Sequence, residues 1–81
     1  MAKPSPTHSG AKELVRLGQT IRQLRSNEGY SQEAFADAVG IDRSYLGGIE
    51  RGEHNLALMN LIKIASALNI TPSDLLIEAK L

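Results

Sequence analysis

Apolar side chains recur at helical spacing along most of the chain, and they predict five short helices. The first helix covers about residues 11–28, where positions three and four apart form one face. Gly29 follows it, as a left-handed helix cap would. No segment shows the alternation of apolar and polar residues that is typical of a strand. The face of the first helix consists of Leu14, Leu17, Gly18, Ile21, Leu24 and Arg25.

Recognisable caps mark the later helices. Ser31 and Asp42 stand at the start of the second and third helices, which Gly40 and Gly52 end. Thr71 caps the fifth helix, which we expect to continue to the last residue of the chain. Five short helices with short links predict a compact all-α domain. The fourth helix spans about residues 57–68 and is expected to face inward with Leu58, Leu61, Ile64, Ala65 and Leu68.

Composition narrows the class of protein. With 81 residues and 42% hydrophobic side chains, the chain should fold as a single domain over residues 11–81. Residues 1–10 contain two prolines and no apolar pattern, which predicts a flexible N-terminal arm. The absence of cysteine excludes disulfides, thiolate zinc sites and cysteine nucleophiles. Neither a membrane span nor a secretory signal is visible, so we expect a cytoplasmic protein with no membrane partner.

The second and third helices are joined by a short turn that contains a glycine, and this arrangement predicts a helix-turn-helix. The arrangement alone is weak evidence for DNA binding, because many pairs of helices meet at such a corner. The formal net charge of zero argues mildly against a nucleic-acid partner. On the third helix, Leu46 and Ile49 share the inward face, whereas Gly47 and Gly48 fall on the opposite, outward face.

Particular residues carry a closer likeness. Residues 30–36, 39–46 and 49–52, continuing through Asn55 and residues 61–68 to 71–76, resemble the lambda-repressor-like (XRE, Cro/C1-type) helix-turn-helix family. Within that family, residues 42–51 are most similar to the controller proteins of restriction–modification systems. The resemblance implies a five-helix lambda-repressor-like fold and a homodimer that binds a palindromic operator on double-stranded DNA. It places the third helix in the major groove.

The resemblance also implies roles for individual residues. Arg43 and Ser44 match positions that read bases, and Tyr45 is adjacent to them. Gln32 matches a position that holds a phosphate. Two further matches, Arg51 and Asn55, lie where the family clamps the DNA backbone. At Gly48 the family often carries a base-reading side chain, so direct readout from that position is lost here.

The chemistry of these residues supports the same roles and leaves alternatives open. The planar fork of Arg43 can pair with a guanine edge, or it can contact a phosphate or solvent. Ser44 can exchange one hydrogen bond with a base, and Tyr45 can either touch DNA or pack on the second helix. The outward-facing glycines suggest that a duplex approaches closely, although tolerated helix weakness explains them equally. His54 can add a contact from its loop or remain solvated.

Glu50 lies on the inward face of the third helix, where an unpaired carboxylate would be costly. Arg25 stands at the inward edge of the first helix and is its best partner. We therefore expect a partly buried ion pair between these two residues, and the family pattern agrees. The pair would fix the third helix against the first.

The fourth and fifth helices carry more apolar residues than a core of this size needs. An apolar surplus at one end of a small domain is typical of a partner surface. A two-fold dimer would bury it and would separate the two third helices by about one DNA turn. The expected interface residues are Met59, Ile62, Leu76, Ile77 and Leu81.

These patterns favour a transcriptional regulator over an enzyme. No catalytic Ser/His/Asp arrangement, metal-ligand set or phosphate loop is present, so we expect no catalysis, cofactor or metal. The expected function is occupancy control of a promoter by a restriction–modification controller protein, with RNA polymerase as a further candidate partner. Two alternatives remain, a general XRE-family repressor and an antitoxin-type protein-interaction module.

Overall fold

Five α-helices make up the domain, as the apolar spacing predicts. The computed structural model describes residues 7–81, and this part of the chain contains no strand. The longest helix, α1, has 16 residues, and none of the described helices is long and apolar enough to cross a bilayer. The helices are α1 (Lys12–Asn27), α2 (Gln32–Val39), α3 (Arg43–Glu50), α4 (Leu58–Ala67) and α5 (Pro72–Glu78).

The predicted caps form as hydrogen bonds. The Ser31 hydroxyl accepts from the backbone N–H of Ala34 at 3.0 Å, and Thr71 accepts from Asp74 at the same distance. Each bond satisfies one of the amide donors that a helix start leaves without an internal partner. The expected continuation of α5 to the last residue is wrong, because the helix ends at Glu78 and Lys80 takes a left-handed φ of 60°.

The segment before α1 is joined to the exit of α3. Of the predicted flexible arm at residues 1–10, residues 1–6 lie outside the described part of the chain. Residues 7–10 form a turn, and the backbone N–H of Gly10 donates to the carbonyl of Gly52 at 2.8 Å. The described end of the predicted arm is therefore attached to the domain.

The core holds α3 between two other helices. α1 and α2 both pack on α3, while α5 packs on α1 and α4. The expected inward position of Leu58 is wrong, since this first residue of α4 is 65% exposed. The buried cluster consists of Leu17, Ile21, Phe35, Ala36, Val39, Leu46, Ile49, Leu61, Ile64, Ala65, Leu68, Leu75 and Ala79.

Gly18 allows α1 to cross the end of α3 at very short range. A Cβ atom at this position would lie 2.3 Å from the carbonyl oxygen of Ile49 and 2.6 Å from that of Glu50. Both neighbours are backbone atoms, which cannot move aside without displacing the helix. The close crossing brings the side chains of α1 within reach of Glu50.

We predict that Gly18→Ala destabilises the protein although alanine is the better helix former. The clash with α3 should outweigh the gain in helix propensity and lower the free energy of unfolding by about 1–3 kcal/mol. Gly47→Ala is the matched control, because its Cβ would meet the ends of two side chains and no backbone atom, Arg51 Nη1 at 3.1 Å and the Gln32 amide at 3.6 Å. Urea denaturation should show a lower midpoint for the first variant only. Equal midpoints would contradict the close crossing.

Candidate nucleic-acid interface

The first turn of α3 is organised by Asp42. Its Oδ2 atom accepts the backbone N–H groups of Ser44 at 3.0 Å and Tyr45 at 3.3 Å, and it also accepts the Ser44 hydroxyl. The Ser44 hydroxyl, followed by the Tyr45 amide, holds the pKa of the Asp42 carboxyl below its ordinary 3.8. The cap therefore contributes stability above that ordinary value, and the contribution is lost as the pH falls through the lower, folded-state pKa.

Ser44 consequently has a defined hydrogen-bonding character. An ionised carboxylate can only accept, so the Ser44 hydroxyl must donate its single hydrogen to Asp42. Its lone pairs remain able to accept a hydrogen bond. Among the base edges of the major groove, the amino groups of cytosine and adenine are the donors that fit such an acceptor.

The expected ion pair between α1 and α3 is present and buried. Arg25 Nε donates to Glu50 Oε2 at 2.7 Å, and Nη2 donates to Oε1 at 3.1 Å. The two side chains are 10% and 3% exposed. Arg25 Nη1 also donates to the Tyr30 carbonyl at 2.8 Å, which links the pair to the segment before α2.

Gln32 extends this pair to the outer surface. Its Nε2 atom donates to Glu50 Oε1 at 3.0 Å, and its Oε1 atom accepts from Arg43 Nη1 at 3.4 Å. Gln32 is half-buried at the start of α2, and Arg43 is exposed in the first turn of α3. A continuous set of hydrogen bonds thus runs from Arg25 to Arg43, and it places the predicted phosphate-binding and base-reading residues side by side.

Gly48 and His54 differ from the sequence-based expectation. Both are buried, and a Cβ on Gly48 would lie 2.5 Å from Nε2 of His54. The expectation that the glycine pair faces outward is wrong for Gly48, which His54 covers. Gly47 is buried as well, but beneath the side-chain ends of Arg51 and Gln32 at the surface. His54 packs inside the domain and offers no exposed ring to a duplex. A close approach by His54, rather than by DNA, accounts for the missing side chain at Gly48.

Tyr45 connects α3 with the following loop and α4. Its ring lies against His54 with ring centres 4.7 Å apart, and its hydroxyl accepts from Asn60 Nδ2 at 3.2 Å. The side chain is half-buried, so one edge remains at the surface. The sequence analysis missed Asn60, and no local pattern could have identified it because the contact depends on where α4 packs.

Arg51 and Asn55 are exposed beyond the end of α3. The guanidinium of Arg51 is held by Glu53, with Nε 2.8 Å from Oε2 and Nη2 3.2 Å from Oε1. These hydrogen bonds lower the pKa of the Glu53 carboxyl, so the carboxylate form extends to more acidic pH than usual. The role of Glu53 was not predicted, although opposite charges on either side of Gly52 in a tight turn are a usable signal.

A second surface carries the expected interface residues. Five large apolar side chains on α4, α5 and the following segment are between 38% and 70% exposed. Leu76 is half-buried and packs against the core, so it lies at the edge of this surface. We define the apolar patch as Leu58, Met59, Ile62, Ile77 and Leu81.

Known proteins are similar to this chain in both sequence and structure. A helix-turn-helix family model matches residues 21–75. The control protein C.MunI of Mycoplasma sp is 42% identical over 62 residues, which cover 75% of this chain and 84% of that protein. The crystal structure of the restriction-modification controller protein C.AhdI from Aeromonas hydrophila superposes with a TM-score of 0.75 at 51% identity, over 78% of this chain and 96% of that one.

A third similarity involves a complex. The structure of SinR, the master regulator for biofilm formation, in complex with DNA has a TM-score of 0.70 and is 36% identical. The match covers 74% of this chain and 97% of that one. The similarity therefore spans nearly the whole length of that SinR chain, whose structure was determined in complex with DNA.

Removing one member of the buried pair should be costly. We predict that Arg25→Met lowers the free energy of unfolding by about 3–5 kcal/mol, because it leaves the Glu50 carboxylate buried without its cation. The double variant Arg25→Met/Glu50→Met should recover most of that loss. Urea denaturation measures both, with Arg51→Met at the exposed pair as the control. A wild-type midpoint for Arg25→Met would refute the structural role of the pair.

Proposed function

The chain belongs to the helix-turn-helix family, and from that premise we propose that it is a homodimeric, sequence-specific DNA-binding regulator of transcription. The similarity to restriction–modification controller proteins favours that role in particular. The proposed activity is binding alone, in the cytoplasm, with no chemical step and no cofactor. RNA polymerase is its proposed partner at an activated promoter.

One observation carries the proposal. Arg43 is exposed at the start of the second helix of the helix-turn-helix, and its guanidinium hydrogen-bonds to Gln32 at the start of the first. The start of the second helix is the part that enters the major groove most deeply in this motif. A phosphate-binding amide and a base-reading fork at adjacent points suit a duplex, which presents a backbone beside its groove.

Within the interface we assign complementary reading roles to two neighbours. Arg43 donates two hydrogen bonds to O6 and N7 of guanine, and Ser44 accepts one from an adjacent cytosine or adenine amino group. Tyr45 contacts a sugar or a thymine methyl through its exposed edge. Gln32, Arg51 and Asn55 hold phosphates and set the register of α3.

The apolar patch is the proposed dimer interface. Two copies joined through α4 and α5 would need to separate the two α3 helices by roughly 34 Å, one turn of DNA. A symmetric dimer calls for an operator with inverted repeats. Controller-type regulation would follow from the amount of protein, as tight sites fill before weak ones.

We predict that Arg43→Ala weakens operator binding by about 1–3 kcal/mol and relaxes the preference at one base position, because it removes a bidentate base contact. Gln32→Ala should weaken binding to all sequences, because it removes a phosphate ligand, and should also reduce the preference read by Arg43, whose guanidinium Gln32 holds. Selection of bound sequences from a random library, followed by mobility shifts on random and upstream promoter DNA, measures both effects. Unchanged affinity and preference for Arg43→Ala would show that another residue reads the bases.

The same mobility shifts with unmodified protein test the function itself. Tight, sequence-selective binding at moderate salt supports the regulator. Binding that requires an added partner protein would instead support the antitoxin-type alternative.

We predict that Met59→Glu produces monomers that remain folded. Met59 is 63% exposed, so the new charge disturbs the apolar patch and not the core. The dimer dissociation constant should rise at least roughly tenfold, equivalent to about 1.4 kcal/mol. Sedimentation equilibrium measures this constant, and Ala38→Glu on the exposed side of α2 is the control. A dimer unaffected by Met59→Glu would exclude this face.

A further inference from the structure

We propose that a cavity between α1, α2 and α3 binds one phosphate of the DNA backbone, with Arg22 and Arg51 as its cationic ligands and Glu53 as an internal competitor for Arg51. The inference rests on the proposed function and adds to it a ligand, Arg22, and a means of adjusting affinity. We call the cavity, which has a volume of about 350 Å³, the arginine pocket; it is lined by Arg22, Arg25, Gln32, Gly47, Glu50 and Arg51.

The polar groups of the pocket differ in how many hydrogen bonds and ion pairs they already make within the protein. Arg25 and Glu50 neutralise each other, and Arg25 also donates to the Tyr30 carbonyl. Arg22, by contrast, is exposed and has no ion pair within residues 7–81. Gln32 uses one amide hydrogen on Glu50 and retains a second for a ligand. The pocket therefore contains one cation, Arg22, that makes no ion pair with the described residues, and one free amide hydrogen, on Gln32. Both lie beside Arg25 and Glu50, whose charges neutralise each other.

Because Gly47 has no side chain, the bottom of the pocket stays open. A Cβ at this residue would lie 3.1 Å from Nη1 of Arg51 and 3.6 Å from Oε1 of Gln32. The guanidinium of Arg51 and the amide of Gln32, whose Nε2 lies 3.7 Å from the same Cβ position, are therefore close to one point. An anion bound there would accept from Arg51 Nη1 and from the free amide hydrogen of Gln32, with Arg22 lining the same cavity.

Glu53 binds the guanidinium of Arg51 with the same geometry that a phosphate would adopt. Its two oxygens contact Nε and Nη2 in a fork-to-fork arrangement, the geometry that guanidinium groups also adopt with phosphate. The side chains of Arg51 and Glu53 are 60% and 31% exposed, so water screens the pair and exchange is inexpensive. Nη1, which faces Gly47 and the pocket, is not used by Glu53. A phosphate bound there would draw the guanidinium toward the pocket and away from the carboxylate, and would leave Glu53 solvated.

The alternative role for this ion pair is purely structural, as a surface contact that stabilises the exit of α3. The two roles predict opposite effects of removing the carboxylate. A structural pair makes Glu53→Gln neutral or harmful for DNA binding, whereas a competitor makes it favourable.

The test measures binding to a fluorescently labelled random-sequence duplex over a series of salt concentrations. Arg22→Gln should weaken binding and reduce the slope of log affinity against log salt by about 1.8, since each protomer of the proposed dimer loses one phosphate contact worth about 0.9. Glu53→Gln should tighten binding roughly threefold to fivefold. Arg16→Gln and Glu78→Gln, which carry the same charge changes in a different groove, should produce smaller effects.

A double-variant cycle separates competition for Arg51 from a general change of charge. The gain from Glu53→Gln should disappear in an Arg51→Gln background, because no guanidinium is left to release. Circular dichroism should show all variants folded, since each substituted residue is exposed or half-buried. A gain that persists without Arg51, or equal effects of Arg22→Gln and Arg16→Gln, overturns the pocket while leaving DNA binding intact. Failure of unmodified protein to bind any duplex overturns the proposed function as well.

Discussion

The buried contact between Arg25 and Glu50 is the constraint on which the rest of the structure depends. It joins α1 to α3 at the crossing that Gly18 permits, and both charges are almost fully removed from water. Burial of two charges is favourable only when their remaining hydrogen-bonding groups are satisfied. Tyr30 and Gln32 complete that requirement, and no buried polar side-chain atom of the described residues lacks a partner. The start of α2 is thereby fixed relative to α3.

An apolar pair at the same place could stabilise the fold as well, because well-packed hydrophobic residues often equal a buried ion pair in stability. Such a pair could not orient Gln32, whose amide is held by Glu50 and in turn contacts Arg43. The charged pair therefore orients Gln32, which apolar packing alone would not do. It determines the position of a polar side chain at the surface, next to Arg43, whose proposed contact with a base requires precise placement.

The helices and their capping residues could be predicted because they depend on local sequence. The Arg25–Glu50 pair could be predicted because burial of one charge requires another. The contact of His54 with Gly48 could not, since it depends on the path of the loop after α3, which no periodicity describes. Leu58 belongs to the apolar pattern of α4 yet lies exposed, because a pattern cannot tell the protein core from an exposed apolar surface. Asn60 reaches Tyr45 only through the packing of α4.

Because the formal net charge is zero, the positions of individual arginines matter more for DNA binding than the total charge does. A protein without a basic surplus gains little from long-range attraction to DNA, so affinity must come from a small number of directed contacts. Two of its arginines are already paired within the described part of the chain, Arg25 in a buried ion pair and Arg51 in an exposed one. The proposed dimer would offer every contact twice, and its second half-site would then bind at a high effective concentration. Few contacts per protomer would therefore still give tight binding, but only on DNA with a matching site for each protomer.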